Sequence, residues 1–353
     1  MTAAARPHRR YLLIRTRGVI RVRIERRTIA VGFALATAVL LAGLVGLASG
    51  DYGLSVGDVV RGLFVPSDDP FTIVVLRDLR IPRVLAAALV GAALGVSGAI
   101  LQSISGNPLG SPDIVGFTTG AATGALLQII VFDASTNGVA LGAVVGGLGA
   151  AAAMYALAYR DGVSGYRLVL VGIGLAAMLQ AANTWLIVRA DLSAAQVGAQ
   201  WLAGSLNAVT WGEVATITAT VLILVPAAMA LRRELAALAL GDPVAIALGV
   251  SAERTRRRLI LISLLLVAVA TAITGPIAFV ALAAPQLARR LTRTAMVGLG
   301  TAALMGALLV IVGDIVAQRL FAPTQLPVGV VTGTLGGGYL IWLLSREWRV
   351  RRG

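Results

Sequence analysis

The sequence predicts an all-α, polytopic membrane protein of about ten transmembrane helices. Three observations carry that prediction. Hydrophobic residues make up 58% of the 353 residues and charged residues only 13%, with a mean hydropathy of +0.88. Soluble domains carry roughly 25% charged residues. Charge-free apolar runs recur at span length, and the clearest occupies residues 84–101. The arginines fall in the segments between the runs, mostly in alternate ones, as the bias for positive cytoplasmic loops requires.

Taken in order, the chain opens on a tail, residues 1–28, with nine arginines. Such a tail before a span marks a cytoplasmic end and can touch anionic lipid. Arginine pairs at 9–10 and 26–27 raise the possibility of an export signal, but the following run has the length of a span and many more spans follow. The expected spans are residues 29–49, 81–102, 113–132, 138–158, 167–188, 213–231, 259–277, 277–291, 297–317 and 327–344. The seventh and eighth form one stretch too long for a single span, broken at Gly275-Pro276. With this count and the N-terminus inside, 24 of the 30 arginines lie on the cytoplasmic side, and both termini are cytoplasmic. Merging spans seven and eight would put the C-terminal arginines outside.

Residues 80–124 are the organising stretch. Arg80-Ile81-Pro82-Arg83 leads into an apolar run, Asn107-Pro108-Leu109-Gly110-Ser111-Pro112 breaks it, and a second run follows. Two prolines remove donors and end a helix, so the break reads as an inner turn. Gly91, Gly95 and Gly98, then Gly116, Gly120 and Gly124, suit close helix contact in lipid. Arg77, Arg80 and Arg83 sit at the outer mouth against the charge bias. They read equally as interfacial side chains, with Asp78 as a partner, or as a positive docking patch.

The remaining segments read as connections. The outer loop 50–79 is partly acidic and too short for a domain, and loop 189–212 carries Trp201 and Trp211 in interfacial positions. The inner loop 232–258 holds six arginines and helix-like apolar spacing at Leu235, Leu238, Leu240, Ala245 and Leu248, interrupted by Gly241-Asp242-Pro243 and ended by Gly249. An exposed apolar face on a cytoplasmic hairpin points to a partner protein or to the lipid surface. Asp113 and Glu213 lie at span ends. Asp314, near the outer end of span nine, is expected to cap or pair with Arg319.

Several chemistries are excluded. The chain has no Cys and no Lys, and its one His, His8, lies in the tail. There is accordingly no disulfide framework, thiolate nucleophile, P-loop lysine or H-E-x-x-H zinc site. Asp242 and Asp314 fall near opposite faces, so they cannot share a proton as an aspartyl protease dyad must. No catalytic residue and no metal site is assigned. The charge of +14 follows the loops of a membrane protein, and no nucleic-acid partner is inferred.

Arg80-Ile81-Pro82-Arg83, Gly98, Gln102 and the 107–112 turn resemble the iron-siderophore and cobalamin ABC importer permeases, the FecCD family. Trp201, Gly204-Ser205-Leu206, Leu240-Gly241-Asp242, Ala247-Leu248-Gly249-Val250, Gly275-Pro276-Ile277-Ala278-Phe279-Val280 and Leu326-Pro327-Val328-Gly329 follow in the family's order. The resemblance covers residues 30–345, and the wording is most similar to the ferric-enterobactin subgroup. It implies a type II importer permease domain at 29–345, flanked by tails 1–28 and 346–353. It implies a second, distinct permease chain, two cytoplasmic ATPase chains that bind ATP and Mg, and an extracytoplasmic siderophore-binding protein in a bacterial inner membrane. No cofactor would belong to this chain.

The resemblance also implies roles. Arg80, Arg83 and Arg319 would meet the binding protein. Leu240, Gly241, Asp242, Ala247, Leu248 and Gly249 would enter the ATPase. Asn107, Pro108, Gly275 and Pro276 would serve translocation and gating. Three departures stand out: Gln286 where relatives often have His, Gln318 where many have Arg, and Gly106 where a basic residue is common. A cobalamin or haem importer, or a secondary transporter acting alone, are the alternative readings.

Overall fold

A short antiparallel hairpin precedes the first long helix. Strand β1 (Tyr11–Arg15) pairs with β2 (Arg21–Glu25), with Tyr11 opposite Glu25. The computed structural model describes residues 11–15, 21–50, 52–64, 70–112, 116–159, 165–207, 209–294 and 298–352. His8, Asp113 and Arg160 therefore lie outside the described residues. Apart from the hairpin the described elements are helical: α1 (Arg26–Ala48), α2 (Val56–Phe64), α3 (Pro70–Val74), a π-helical turn at Val75–Arg80, and α4 (Ile81–Ser105). There follow α5 (Phe117–Ile130), α6 (Thr136–Ala158), α7 (Gly165–Arg189), α8 (Leu192–Ala203) and α9 (Trp211–Ala230). The chain continues with α10 (Arg232–Leu238), α11 (Asp242–Ala247), α12 (Ala252–Thr274), α13 (Val280–Thr292), α14 (Leu299–Arg319) and α15 (Val328–Arg352).

Helix α4 is the most buried of the long apolar helices and packs against α14, α13, α12 and α9. Its glycines explain why. A Cβ built on Gly91 or Gly95 would overlap the carbonyls of Gly306 or Ala302 in α14, and one on Gly98 would overlap the Ala281 carbonyl in α13. The same device joins α5 to α6, where Gly120 and Gly124 meet Gly146 and Gly142. Lipid tails are as apolar as leucine, so close van der Waals approach must supply the helix association. Midway along α4, the hydroxyls of Ser97 and Ser263 of α12 lie 2.7 Å apart, a buried polar tie.

Among the described residues, seven helices are long and apolar enough to cross a membrane. They fall on the expected spans, and α5, α13 and α15 occupy the other three expected positions. The expectation of a full-length span fails for α5, which has 14 residues, whereas α13, with 13, is the shorter span expected after the Gly275-Pro276 break. At 1.5 Å per residue each reaches only about 20 Å, less than the ~30 Å hydrocarbon core. Both abut irregular backbone, which membranes tolerate where protein covers it. Two segments expected as loops are largely helical. Residues 50–79 hold α2, α3 and the π turn that runs directly into α4, and residues 189–212 hold α8. Polar and small residues had masked these helices as connections.

Helix termini follow local chemistry. Ser55 opens α2: its hydroxyl and backbone N–H donate to Asp58 Oδ2 at 2.7 and 3.0 Å, and Asp58 N–H donates back to Ser55 Oγ. Glu213 sits in a capping box at the start of α9, accepting from Thr210 N–H at 2.8 Å. That accounts for one of the three span-end acids.

Candidate functional site

At one end of the bundle, α10 and α11 form a short hairpin ahead of α12. Gly241 and Gly249 bound α11 with φ of +99° and +80°, values that suit glycine. The apolar positions of this hairpin divide into two faces. Leu235, Leu238 and Ala245 are buried against the bundle, whereas Leu240, Val244, Ile246 and Leu248 are exposed. Sequence spacing had grouped the buried and exposed residues together and missed Val244 and Ile246, because the two short helices are not one continuous period. Asp242 at the first turn of α11 is held by Arg256 of α12 at 2.6 Å, and Arg256 also reaches Glu253 at 3.3 Å. The hairpin is thereby pinned to the start of α12.

The turn at Asn107 and Pro108 is tied to α13. Asn107 Oδ1 accepts from Leu109 N–H at 2.9 Å, closing the turn on itself. Gln286 Nε2 donates to the Pro108 carbonyl at 3.1 Å and to Gln102 Oε1 at 2.6 Å. Gln102 in turn donates to the Leu282 carbonyl, and Arg289 donates to Gln286 Oε1 at 2.9 Å. Gln286 is thus the centre of a buried, satisfied amide network linking α4, the turn and α13. An amide can donate and accept at once, which suits it to that place.

The break at Gly275-Pro276 meets two other breaks. Ser205 N–H donates to the Thr274 carbonyl at 2.7 Å, and Gly329 N–H donates to the Gly204 carbonyl at 3.0 Å. A Cβ on Gly204 would overlap the Pro276 carbonyl, one on Gly275 the Trp201 carbonyl, and one on Gly329 the Ala203 carbonyl. Three motifs far apart in the chain therefore share one main-chain junction between α8, α12–α13 and α15. Beyond it Phe279 takes a left-handed φ of +69° and lays its ring on Gly336 of α15. No local signal in any one motif announces this convergence; their common glycine content is the only hint.

At the other end of the bundle lie the three expected docking arginines. Arg80 is buried, and its guanidinium donates to the Leu47 carbonyl at 2.8 Å and to the Tyr52 carbonyl, passing beneath Gly50. Arg83 forms a two-pronged pair with Asp314, both N···O distances 2.9 Å, and also donates to Gln325. Arg319 is exposed, with Nε 3.4 Å from Ser49 Oγ. The expected pairing of Asp314 with Arg319 is therefore corrected. Five residues along a helix is a rotation of 500°, so Arg319 faces away, whereas Gln318, one turn on from Asp314, donates to it at 2.8 Å. The glycine contact between α4 and α14 brings Arg83 to Asp314 instead. Arg80 and Arg83, read equally as interfacial side chains or as a docking patch, are both engaged within the chain. Arg77 is exposed, with its carbonyl accepting from Trp211 Nε1 at 3.0 Å.

Among the described residues no three His, Asp or Glu side chains gather as a metal site would require. A model of the FecCD transport family matches residues 30–346. The chain belongs to the FecCD transport family. It is 46% identical over 326 residues to the ferric enterobactin transport system permease protein FepG of Escherichia coli K12, covering 92% of this chain and 98% of that protein. It is 37% identical to the achromobactin transport system permease protein CbrC of Dickeya dadantii, over 89% of this chain and 91% of that protein. A solved structure described as an inward-facing conformation of a metal-chelate type ABC transporter aligns with a TM-score of 0.80 at 29% identity, covering 90% of this chain and 99% of that one. This FecCD member is a multi-pass membrane protein with the ABC-permease fold.

Proposed function

We propose that this FecCD chain is the permease subunit of an ATP-driven importer of a ferric siderophore, of the catecholate, enterobactin-like kind. It lies in the bacterial inner membrane with both termini cytoplasmic, pairs with a second, distinct permease chain, and receives cargo from an extracytoplasmic siderophore-binding protein. Two cytoplasmic ATPase chains bind ATP and Mg; this chain has no catalytic site or cofactor, and iron is cargo. Likeness to FepG over nearly the whole length supports the substrate class.

The observation that carries the mechanism is the α10–α11 hairpin. Its exposed row Leu240, Val244, Ile246 and Leu248 suits insertion into a groove on an ATPase. Asp242 and Arg256 make α11 and α12 move together. Closure of the ATPases pulls α11, α12 carries the pull to Gly275-Pro276, and the junction with Gly204 and Gly329 passes it to α8 and α15. The Asn107-Pro108 turn follows α13 through Gln286. Access then alternates between the two sides of the membrane, along a pathway between the two permease chains.

Binding-protein docking is assigned to the end that holds Arg80, Arg83 and Arg319. Arg319, with Arg77, supplies the exposed charge, and Arg80 and Arg83 hold the surface in shape. Arg77→Glu with Arg319→Glu should weaken docking more at low salt than at high salt, because screening erodes the native attraction. Unchanged docking across that range would remove these residues from the interface.

The deciding experiment is radioactive-iron and cobalamin uptake in a strain lacking this chain, offered ferric catecholate, ferric hydroxamate, haem and cobalamin in turn. Loss confined to ferric catecholate, restored by the intact chain, is expected. Loss of haem or cobalamin alone would change the cargo and keep the architecture. No loss, with redundant importers removed, would point to a transporter acting alone.

A further inference from the structure

The second half of α6 and the first half of α12 enclose an apolar groove of about 360 Å³ beside the coupling hairpin. Leu148 and Ala152 of α6 face Ile260 and Leu264 of α12 across it. Its size falls in the range that holds a small apolar ligand. Upstream on the same face of α6, Leu141 and Val145 are exposed, so an apolar track leads along the helix into the groove. The mouth is different in chemistry. Tyr155 and Arg257 line it, and Tyr159 stacks near Tyr155 with ring centroids 6.1 Å apart.

Charge at the mouth is positive. It is carried by Arg257, with Glu253 one turn before it, whereas Arg254 and Arg258 line a separate cavity against α10. Arg256 is committed to Asp242 and Glu253. Arg257 is 63% exposed and only 3.9 Å from Glu253, a loose pair that contributes little and exchanges readily. Tyr155 hydroxyl donates to Glu253 at 3.1 Å. Two tyrosines and an arginine at the end of an apolar slot between spans suit the headgroup level of the leaflet that carries anionic lipid.

We propose that this groove binds one anionic phospholipid of the cytoplasmic leaflet, with an acyl chain between α6 and α12 and the phosphate on Arg257. The phosphate replaces Glu253 as partner of Arg257, since a guanidinium pairs with phosphate through two parallel hydrogen bonds. Glu253 is then left to Arg256 and Tyr155, which firms the support under Asp242 and α11. Anionic lipid thus sets how tightly the coupling hairpin is held. This inference needs only the cytoplasmic placement of the start of α12, not the cargo proposed above.

The test uses the full chain in nanodiscs with phosphatidylglycerol or phosphatidylcholine carrying a photoreactive group on the acyl chain. Labelled peptides are mapped by mass spectrometry. Phosphatidylglycerol should label residues 148–155 and 260–264 about fivefold more than phosphatidylcholine, the ratio that ~1 kcal/mol for one arginine near an anionic surface gives. Arg257→Gln should bring the two lipids level, and Ala152→Trp, which fills the slot, should abolish labelling of both segments. Equal labelling by the two lipids in the native chain, or labelling unmoved by both variants, would reduce the groove to ordinary annular lipid. Loss of labelling when the chain is assembled with its partner subunits would mean that a protein covers the groove, and would overturn the proposal.

Discussion

Arg83 and Asp314 are separated by 231 positions, yet they form the best-made ion pair among the described residues. Asp314 is almost fully buried, so removing it strands a partly buried guanidinium. Asp314→Ala should cost roughly 3 kcal/mol, the usual consequence of breaking a buried pair from one side, read as a lower thermal midpoint of the purified chain. Arg319→Ala, at an exposed site, should shift the midpoint far less. Asp58 makes a different prediction. The Ser55 hydroxyl and backbone N–H, with Arg61 nearby, hold its carboxyl below the ordinary value of 3.8. A carboxyl lowered by folding stabilises above its unfolded value and loses that contribution as pH falls through the lower folded value. Hydrogen exchange in the first turn of α2 should therefore quicken below about pH 4, and Asp58→Asn should remove the dependence. The sequence located these charged residues near the right ends of the right spans. It could not orient them, since the direction of a guanidinium depends on which helix lies opposite.

Single glycines decide how the long elements meet. Gly98 lies against main chain of α13, whereas Gly149 of α6 has open space where a Cβ would go. Gly98→Leu should destabilise by at least about 2 kcal/mol through overpacking against backbone that cannot yield. Gly149→Ala should be neutral or slightly stabilising. Comparing thermal midpoints and yields of the two variants checks this. The coupling hairpin behaves oppositely, because its apolar row faces outward. Ile246→Asp should leave the midpoint nearly unchanged, within about 0.5 kcal/mol as for other surface changes. The same variant should fail to retain the ATPase subunits during copurification. Long apolar runs and the Gly-Pro break were readable because period and punctuation are local. The helices α2 and α8 were not, because helices of nine and 12 residues are too short to declare a period.

For the molecule as a whole, ten helical positions and their order followed from apolar runs and arginine placement, while the gathering of three breaks into one junction did not. That junction depends on main-chain approach between residues 204, 275 and 329, and nothing in a linear pattern measures such approach. The absence of cysteine permits a direct check of sidedness. Single cysteines at Leu248 and at Phe321, both exposed, should react with a membrane-impermeant maleimide from opposite faces of oriented vesicles. Reaction from the same face would refute the span count between them.

The junction has one more consequence. Its hydrogen bonds join Ser205 N–H to the Thr274 carbonyl and Gly329 N–H to the Gly204 carbonyl, so it is written entirely in backbone. A joint of that kind is indifferent to which side chains surround it, provided that the glycines remain. Halves of two relatives spliced within residues 239–250 should therefore still mate there, and a hybrid permease would inherit its cargo preference from its parents without having to rebuild its fulcrum.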